Sequence, residues 1–183
     1  INNEKVTHYA RQDKYDNIPG TPIAYWVSDK ITSIYTANQI LGEIAYPKTG
    51  MTTGDNLEFL RLWPEVSLKK CNFSASNSID ALQSRKKWFP YSKGGGFRRW
   101  YGYNEYLVNW HKDGYYIKTN IKSDGKKVAS VRSENLYFKK LITWSAVTSG
   151  KFSCRLIEKG FLFDSGGSSM LAKENSYYIL SLL

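Results

Sequence analysis

The sequence predicts an α+β fold: a twisted, mainly antiparallel sheet of short strands with a few short helices. Three observations lead there. Short apolar runs recur along the chain, each bounded by Gly, Pro, Asn or Asp, the punctuation of strands and turns. Few stretches read as helices, chiefly 29–35 and 177–183, each behind a Ser, Asp or Asn able to cap it. No internal repeat or domain linker stands out, so the elements are expected to gather on one sheet.

The bulk numbers bound the function. A chain of 183 residues can bury a useful core, and 42% hydrophobic with 15% aromatic residues excludes a disordered chain. The net charge of +10, with pI about 9.5, implies a polyanionic partner, and nucleic acid is the commonest. No apolar run approaches the roughly 20 residues that span a bilayer, and 1–10 holds no secretory signal, so no membrane partner is expected. Cys71 and Cys154 form no CxxC pair, and His8 and His111 are equally scattered, which argues against zinc. Two free thiols fit a reducing cytoplasm. The chain lacks an initiator Met and stops inside an apolar pattern, so a fragment of a larger protein is expected.

In order, 1–17 reads as a polar lead-in and 18–183 as the domain. Residues 18–27 hold a Pro-Gly turn and a strand-like run, with Tyr25 and Trp26 expected in the core. Ser28-Asp29 caps a short helix with Ile31 and Ile34 on its inner face. Residues 40–45 read as a strand, opening into the hydroxyl-rich loop 46–56 with Thr49, Thr52, Thr53, Asp55 and Asn56. Such a loop can bond phosphates or base edges, and it can equally be an Asx turn bonding its own backbone. A strand is expected over 59–66 and an exposed connection over 71–82. Next, 105–110 reads as a strand, Asp113-Gly114 as a hairpin turn and 121–127 as a charged loop. The runs 141–147 and 152–157 flank Thr148-Ser149-Gly150-Lys151 as a hairpin. Residues 161–164 form a strand ending in the Gly/Ser loop 165–169, whose N–H groups could cradle a phosphate. Asn175 or Ser176 then caps the last helix.

One stretch stands out: RKKWFPYSKGGGFRRWYGYN, 85–104. It carries Arg85, Lys86, Lys87, Lys93, Arg98 and Arg99, no acid, and a series of interleaved aromatics around Gly94, Gly95 and Gly96. Cations neutralise phosphates, rings stack on bases, and glycines let a backbone come close to a ligand. The pattern fits a nucleic-acid-binding loop. It also fits an aromatic-rich hairpin with solvated cations and glycines in a wide turn.

Catalytic patterns are missing from the sequence. There is no GxSxG elbow, no GxGxxG after a strand, no GxxxxGK[ST] loop and no Asn-Pro-Pro-aromatic motif. Asp55, Asp113 and Asp164 could hold Mg²⁺ in a nuclease, but turn or capping roles explain them as well.

The order of motifs carries a resemblance. IPGTPIAYWVS (18–28), LGEIAYPKTGMTTGDNLEFLRLW (41–63), RKKWFPYSKGGGFRRWYGYNEYLVNW (85–110), LYFKKLITWSAVTSGKFSCR (136–155) and GFLFDSGGSSM (160–170) follow one another. The series resembles the target-recognition region of the PglX adenine-specific DNA methyltransferases of BREX phage-exclusion systems. It is more loosely similar to the Taq-I-like C-terminal specificity domains of restriction-modification enzymes. Tyr103 departs from the pattern, which has a polar residue such as Asn there, and Ser92 varies.

The resemblance implies a parent that methylates the N6 of adenine with S-adenosylmethionine. The methyltransferase domain would lie in the same polypeptide, and this piece would be catalytically silent and bind no cofactor. The expected partner is double-stranded DNA. Phosphates would fall to Arg85, Lys86, Lys87, Lys93, Arg98, Arg99 and Lys151 around Gly94 and Gly95. Base readout would fall to Thr53, Asn56, Arg98 and Asn104. A docking module for other defence-system subunits and a metal-dependent nuclease are the alternatives. The loops 49–56, 85–104 and 148–151 are expected to converge on one basic face.

Overall fold

The computed structural model describes residues 9–121, 125–172 and 176–183, so His8 and the possible cap Asn175 lie outside the described residues. It divides into two compact units, 1–44 and 45–183.

The first unit holds helices α1 (Asp29–Ala37) and α2 (Leu41–Ile44) behind a 3₁₀ turn, Gln12–Asn17. The Ser28 hydroxyl caps α1 by accepting from the Ile31 N–H, as the sequence predicts. The expected strand over 18–27 does not form, and 40–45 starts as helix instead. Trp26 is 70% exposed, and Tyr25, Ile31 and Ile34 are exposed as well, against their expected burial. Within this unit only Ala24 is buried among the described residues, since so short a segment presents too little opposing surface.

The second unit is α+β. Its strands are β1 (Ala45–Lys48), β2 (Leu60–Leu62), β3 (Trp88–Ser92), β4 (Tyr106–Asn109), β5 (Leu141–Trp144), β6 (Cys154–Ile157), β7 (Leu162–Phe163) and β8 (Ser169–Ala172). They make two four-stranded sheets, ordered β1-β8-β5-β6 and β2-β4-β3-β7. Every pairing is antiparallel except β3 with β7. Four short helices accompany them: α3 (Asn56–Phe59), α4 (Ser78–Gln83), α5 (His111–Lys118) and α6 (Ser176–Leu182). One core draws on both sheets, with Phe89, Tyr91, Val108 and Phe163 from one and Leu141 and Ile157 from the other.

All five residues of β3 are buried. Phe89 and Tyr91 enter the main core, while Trp88 packs with Cys71 and Leu107 in a smaller cluster. A strand covered on both faces reads as an unbroken apolar run, which explains the WFPYS sequence. Pro90 survives in this central strand for a local reason. The carbonyls of Trp88 and Ser92, on the same edge, accept from Asn72 and Asp164, so that edge faces away from β4. The missing Pro N–H therefore costs no bond in the β3–β4 ladder.

Several boundaries differ from the sequence reading. The hairpin of β5 and β6 forms as expected, pairing Trp144 with Cys154. The run 59–66 contributes strand only at Leu60–Leu62, because Pro64 starts a 3₁₀ turn. The stretch 71–82 contains α4, capped by the Asn77 side chain. Asp113-Gly114 makes no hairpin. Lys112, Asp113 and Gly114 all take left-handed angles within α5 and turn the chain back beneath Trp110.

Candidate nucleic-acid interface

The cation-rich stretch is not one loop. Strand β3 runs through its middle, so Arg85, Lys86 and Lys87 sit at one end and Lys93 to Arg99 at the other. At about 3.3 Å per residue, the six steps from Lys87 across β3 to Lys93 hold the two groups roughly 20 Å apart. Only the second group meets the threonine-rich loop.

That meeting is built by backbone pairing. Met51 donates to the Phe163 carbonyl, Ser165 donates back to Met51, and Asp164 donates to Ser92. The start of loop 49–56, the end of β7 and the end of β3 therefore lie side by side. Just beyond, Lys93 and Asn56 line a shared cavity of about 240 Å³ with Thr52, Thr53, Gly54 and Asp164. Asp164 accepts from the Tyr91 hydroxyl at 2.9 Å and from the Gly166 N–H at 2.6 Å. Burial, and then the negative Asp164, push the Tyr91 phenol well above its ordinary pKa.

Residues 93–104 then lie along the β5–β6 hairpin. Gly95 N–H donates to the Ser145 hydroxyl, Arg98 N–H to the Ser153 hydroxyl, and Leu156 N–H to the Trp100 carbonyl. The hairpin tip 148–151, with exposed Lys151, springs from this junction. Loop 93–104 thus adjoins loop 49–56 at Lys93 and the base of the 148–151 hairpin at Ser145 and Ser153, while 85–87 stands apart.

Gly94 and Gly95 serve a different purpose from the expected approach to a ligand. Gly94 has φ +87°, and a Cβ there would sit 2.9 Å from the Gly166 carbonyl oxygen. A Cβ on Gly95 would sit 2.7 Å from the Tyr103 ring. Their missing side chains let protein segments pack together. The Gly/Ser loop is likewise committed: the N–H groups of Ser165 and Gly166 are bonded within the protein, and Asp164 stands at its root. It is a poor phosphate cradle.

Arg98 lies over the Tyr103 ring, 4.6 Å from its centroid, and Arg99 over Phe97 and Trp100 at 5.5 and 5.3 Å. Lys93 lies 5.0 Å from the Tyr106 centroid. Each cation is steadied by a ring face, worth about 0.5–1 kcal/mol at an exposed site, while its N–H groups remain able to donate. Among the described residues, none of these cations shares a salt bridge. The nearby acids are engaged elsewhere. Asp55 caps α3 and Asp164 holds Tyr91 and Gly166, while Asp113, at the opposite end of β3, pairs with Lys118. These are the turn and capping roles that compete with a nuclease reading. Among the described residues, no group of three His, Cys, Asp or Glu could hold a metal ion.

The predicted base readers separate. Thr53 is 2% exposed, and its hydroxyl donates to the Asn56 side-chain carbonyl at 2.8 Å. Thr53 therefore positions Asn56 and does not itself face outward, whereas Asn56 is exposed at the first turn of α3. The Asn104 Oδ1 is buried with no hydrogen-bond partner, so that oxygen is turned inward.

Sequence reading missed Arg155. It is 1% exposed, in β6 directly beneath the loop. Its guanidinium lies 5.1 Å from the Tyr103 centroid and reaches the Arg98 carbonyl at 3.5 Å and the Ser145 hydroxyl at 3.4 Å. Burial lowers its pKa, Tyr103 and Cys154 oppose that shift, and Arg98 adds to it. Among the described residues it shares no salt bridge. A charge in the middle of the apolar run FSCRLI was the available clue.

Fold and surface together define a small α+β module that presents exposed cations and rings beside an oriented amide. No family model matches the chain. It is similar to the adenine-specific methyltransferase PglX of Lacticaseibacillus casei (strain Zhang), 40% identical over 185 residues. It is also similar to the adenine-specific methyltransferase BrxX of Escherichia coli O9:H4 (strain HS), 38% identical over 166 residues. These matches cover 98% and 90% of this chain but only 15% and 12% of the two relatives. The chain is thus homologous, over nearly its whole length, to a small part of these methyltransferases. Among the described residues, no helix is long and apolar enough to cross a membrane.

Proposed function

We propose that this chain is the DNA target-recognition module of an adenine-specific methyltransferase acting in phage defence. The observation that carries the reading is the set of cations over aromatic rings, Lys93, Arg98 and Arg99, of which Lys93 shares a cavity with exposed Asn56. Free cations suit phosphates, and an oriented Asn amide suits a base edge, adenine above all. Homology to adenine-specific methyltransferases makes duplex DNA the polyanion of choice.

In this reading the cations set the register on the backbone and Asn56 meets the groove. Phe97, Trp100 and Tyr101 are exposed and offer stacking surfaces to any base that leaves the helix. S-adenosylmethionine and the methyl transfer belong to a methyltransferase domain elsewhere in the polypeptide, in the cytoplasm. The test is an anisotropy titration of duplex DNA with the chain and with Arg98→Glu/Arg99→Glu. The variant should weaken binding to every sequence and flatten the salt dependence. Unchanged affinity would refute this face as the DNA surface.

A further inference from the structure

The cations at the far end of β3 form a site of their own. Lys69, Lys70, Arg85, Lys86, Lys87 and His111 line a cavity of about 450 Å³ that Ser84 completes, and no acid joins them. The sequence splits these residues among three segments, and the fold brings them together. Lys87 N–H donates to the Lys70 carbonyl, Trp110 N–H to the Lys87 carbonyl and Asn72 N–H to the Trp88 carbonyl. The Lys86 ammonium crosses to the Lys69 carbonyl at 2.6 Å. The segments are thus tied side by side despite the repulsion among their charges.

Among the described residues, none of these basic side chains shares a salt bridge. The acid at the head of α4, Asp80, accepts from the Ser76 N–H and hydroxyl instead. Arg85 also holds φ +54°, a region that a side-chain-bearing residue rarely adopts. Exposed like charges are screened by water and salt at modest cost, and gathered in one concave site without a counter-charge they raise the local positive potential and favour an anion there.

We infer that this cavity is a second phosphate-binding site, which takes the backbone of the same duplex outside the bases read at the other end of β3. The inference rests on the proposed function. The scale fits. A strand of B-DNA advances about 3.4 Å per phosphate along the axis, so the roughly 20 Å between the two groups spans about six phosphates. The module then holds duplex on both ends of one buried, rigid strand, and its footprint exceeds the bases it reads.

The test is a salt-dependent titration of the chain with duplexes of about 10 bp, one helical turn, and about 25 bp. Lys70→Gln/Arg85→Gln/Lys87→Gln should lose roughly tenfold or more on the long duplex, and its slope should become shallower by about 2–3. A duplex of one turn is about 34 Å long and still reaches both groups, so the variant should lose affinity on the short duplex as well. Equal affinity and slope for wild type and triple variant on the long duplex would overturn the second site while leaving the first reading intact. If Arg98→Glu/Arg99→Glu keeps full affinity while the triple variant loses it, the proposed recognition face fails and the distal site stands. Tight binding of single-stranded RNA or inorganic polyphosphate that the triple variant abolishes, with duplex binding unchanged in that variant, would also overturn the inference.

Discussion

The guanidinium of Arg98 lies 4.6 Å from the centroid of the Tyr103 ring. That contact couples the exposed cation to the scaffold, because the same ring fills the space over Gly95 and lies beneath buried Arg155. Tyr103 is thus a structural pivot of the loop.

Tyr103→Leu removes the ring face. A lost cation–π contact of about 0.5–1 kcal/mol predicts roughly two- to fivefold weaker DNA binding and a looser loop. Tyr103→Phe keeps the ring and should stay within about twofold of wild type. Anisotropy titrations of the two variants side by side check this. Equal losses for both would point to the hydroxyl instead.

Thr53→Val keeps the shape of the buried side chain and deletes its bond to Asn56. Freed, the Asn56 amide can flip, so discrimination among DNA sequences should fall by about 0.5–1.5 kcal/mol. Non-specific affinity, set by the cations, should hold. Selection from a random duplex library reads the first effect, and a titration with unrelated DNA reads the second.

Arg155→Met separates stability from binding. Burying a guanidinium without a carboxylate is costly, and a well-packed apolar replacement is often neutral or stabilising. Thermal unfolding should therefore move by no more than about 2–4 °C, while DNA affinity falls several-fold as the loop loses its anchor to the Arg98 carbonyl. A collapse in the melting temperature would show that the charge itself supports the fold.

Alkaline pH should destabilise the second unit. Burial raises the Cys154 thiol from the usual 9.0 to about 11, against the lowering pull of Arg155 and Arg99. It also raises the Tyr91 and Tyr137 phenols. For each, the folded state prefers the protonated form. Their contribution is complete below the unfolded pKa and is lost as pH rises through the folded one. For Cys154 that window runs from about pH 9 to 11. Melting temperatures across it should fall for wild type and fall less for Cys154→Ala.

Gly94→Ala should cost about 1–3 kcal/mol, because it combines strained backbone with a clash against the Gly166 carbonyl. Gly125→Ala, in the same unit, is the control: φ is +79° there, but no atom lies within 4 Å of the new methyl, so only the backbone strain remains. Denaturant melts of the two give the cost of the close approach by difference.

Local order settled much about this protein. The net charge, the β5–β6 hairpin, the Ser28 cap and the aromatic-cationic composition of 85–104 all follow from neighbouring residues, because turns, caps and charge counts depend on a few adjacent positions. Tertiary structure decided which charges act together. Apolar residues on both faces bury β3, and a buried strand must be extended. Cations that look contiguous in sequence are therefore carried to opposite ends, one set meeting Asn56 and the other Lys69 and Lys70. The same packing turned Thr53 inward, used Gly94 against Gly166 and placed Arg155 under the loop, outcomes fixed by contacts between distant segments.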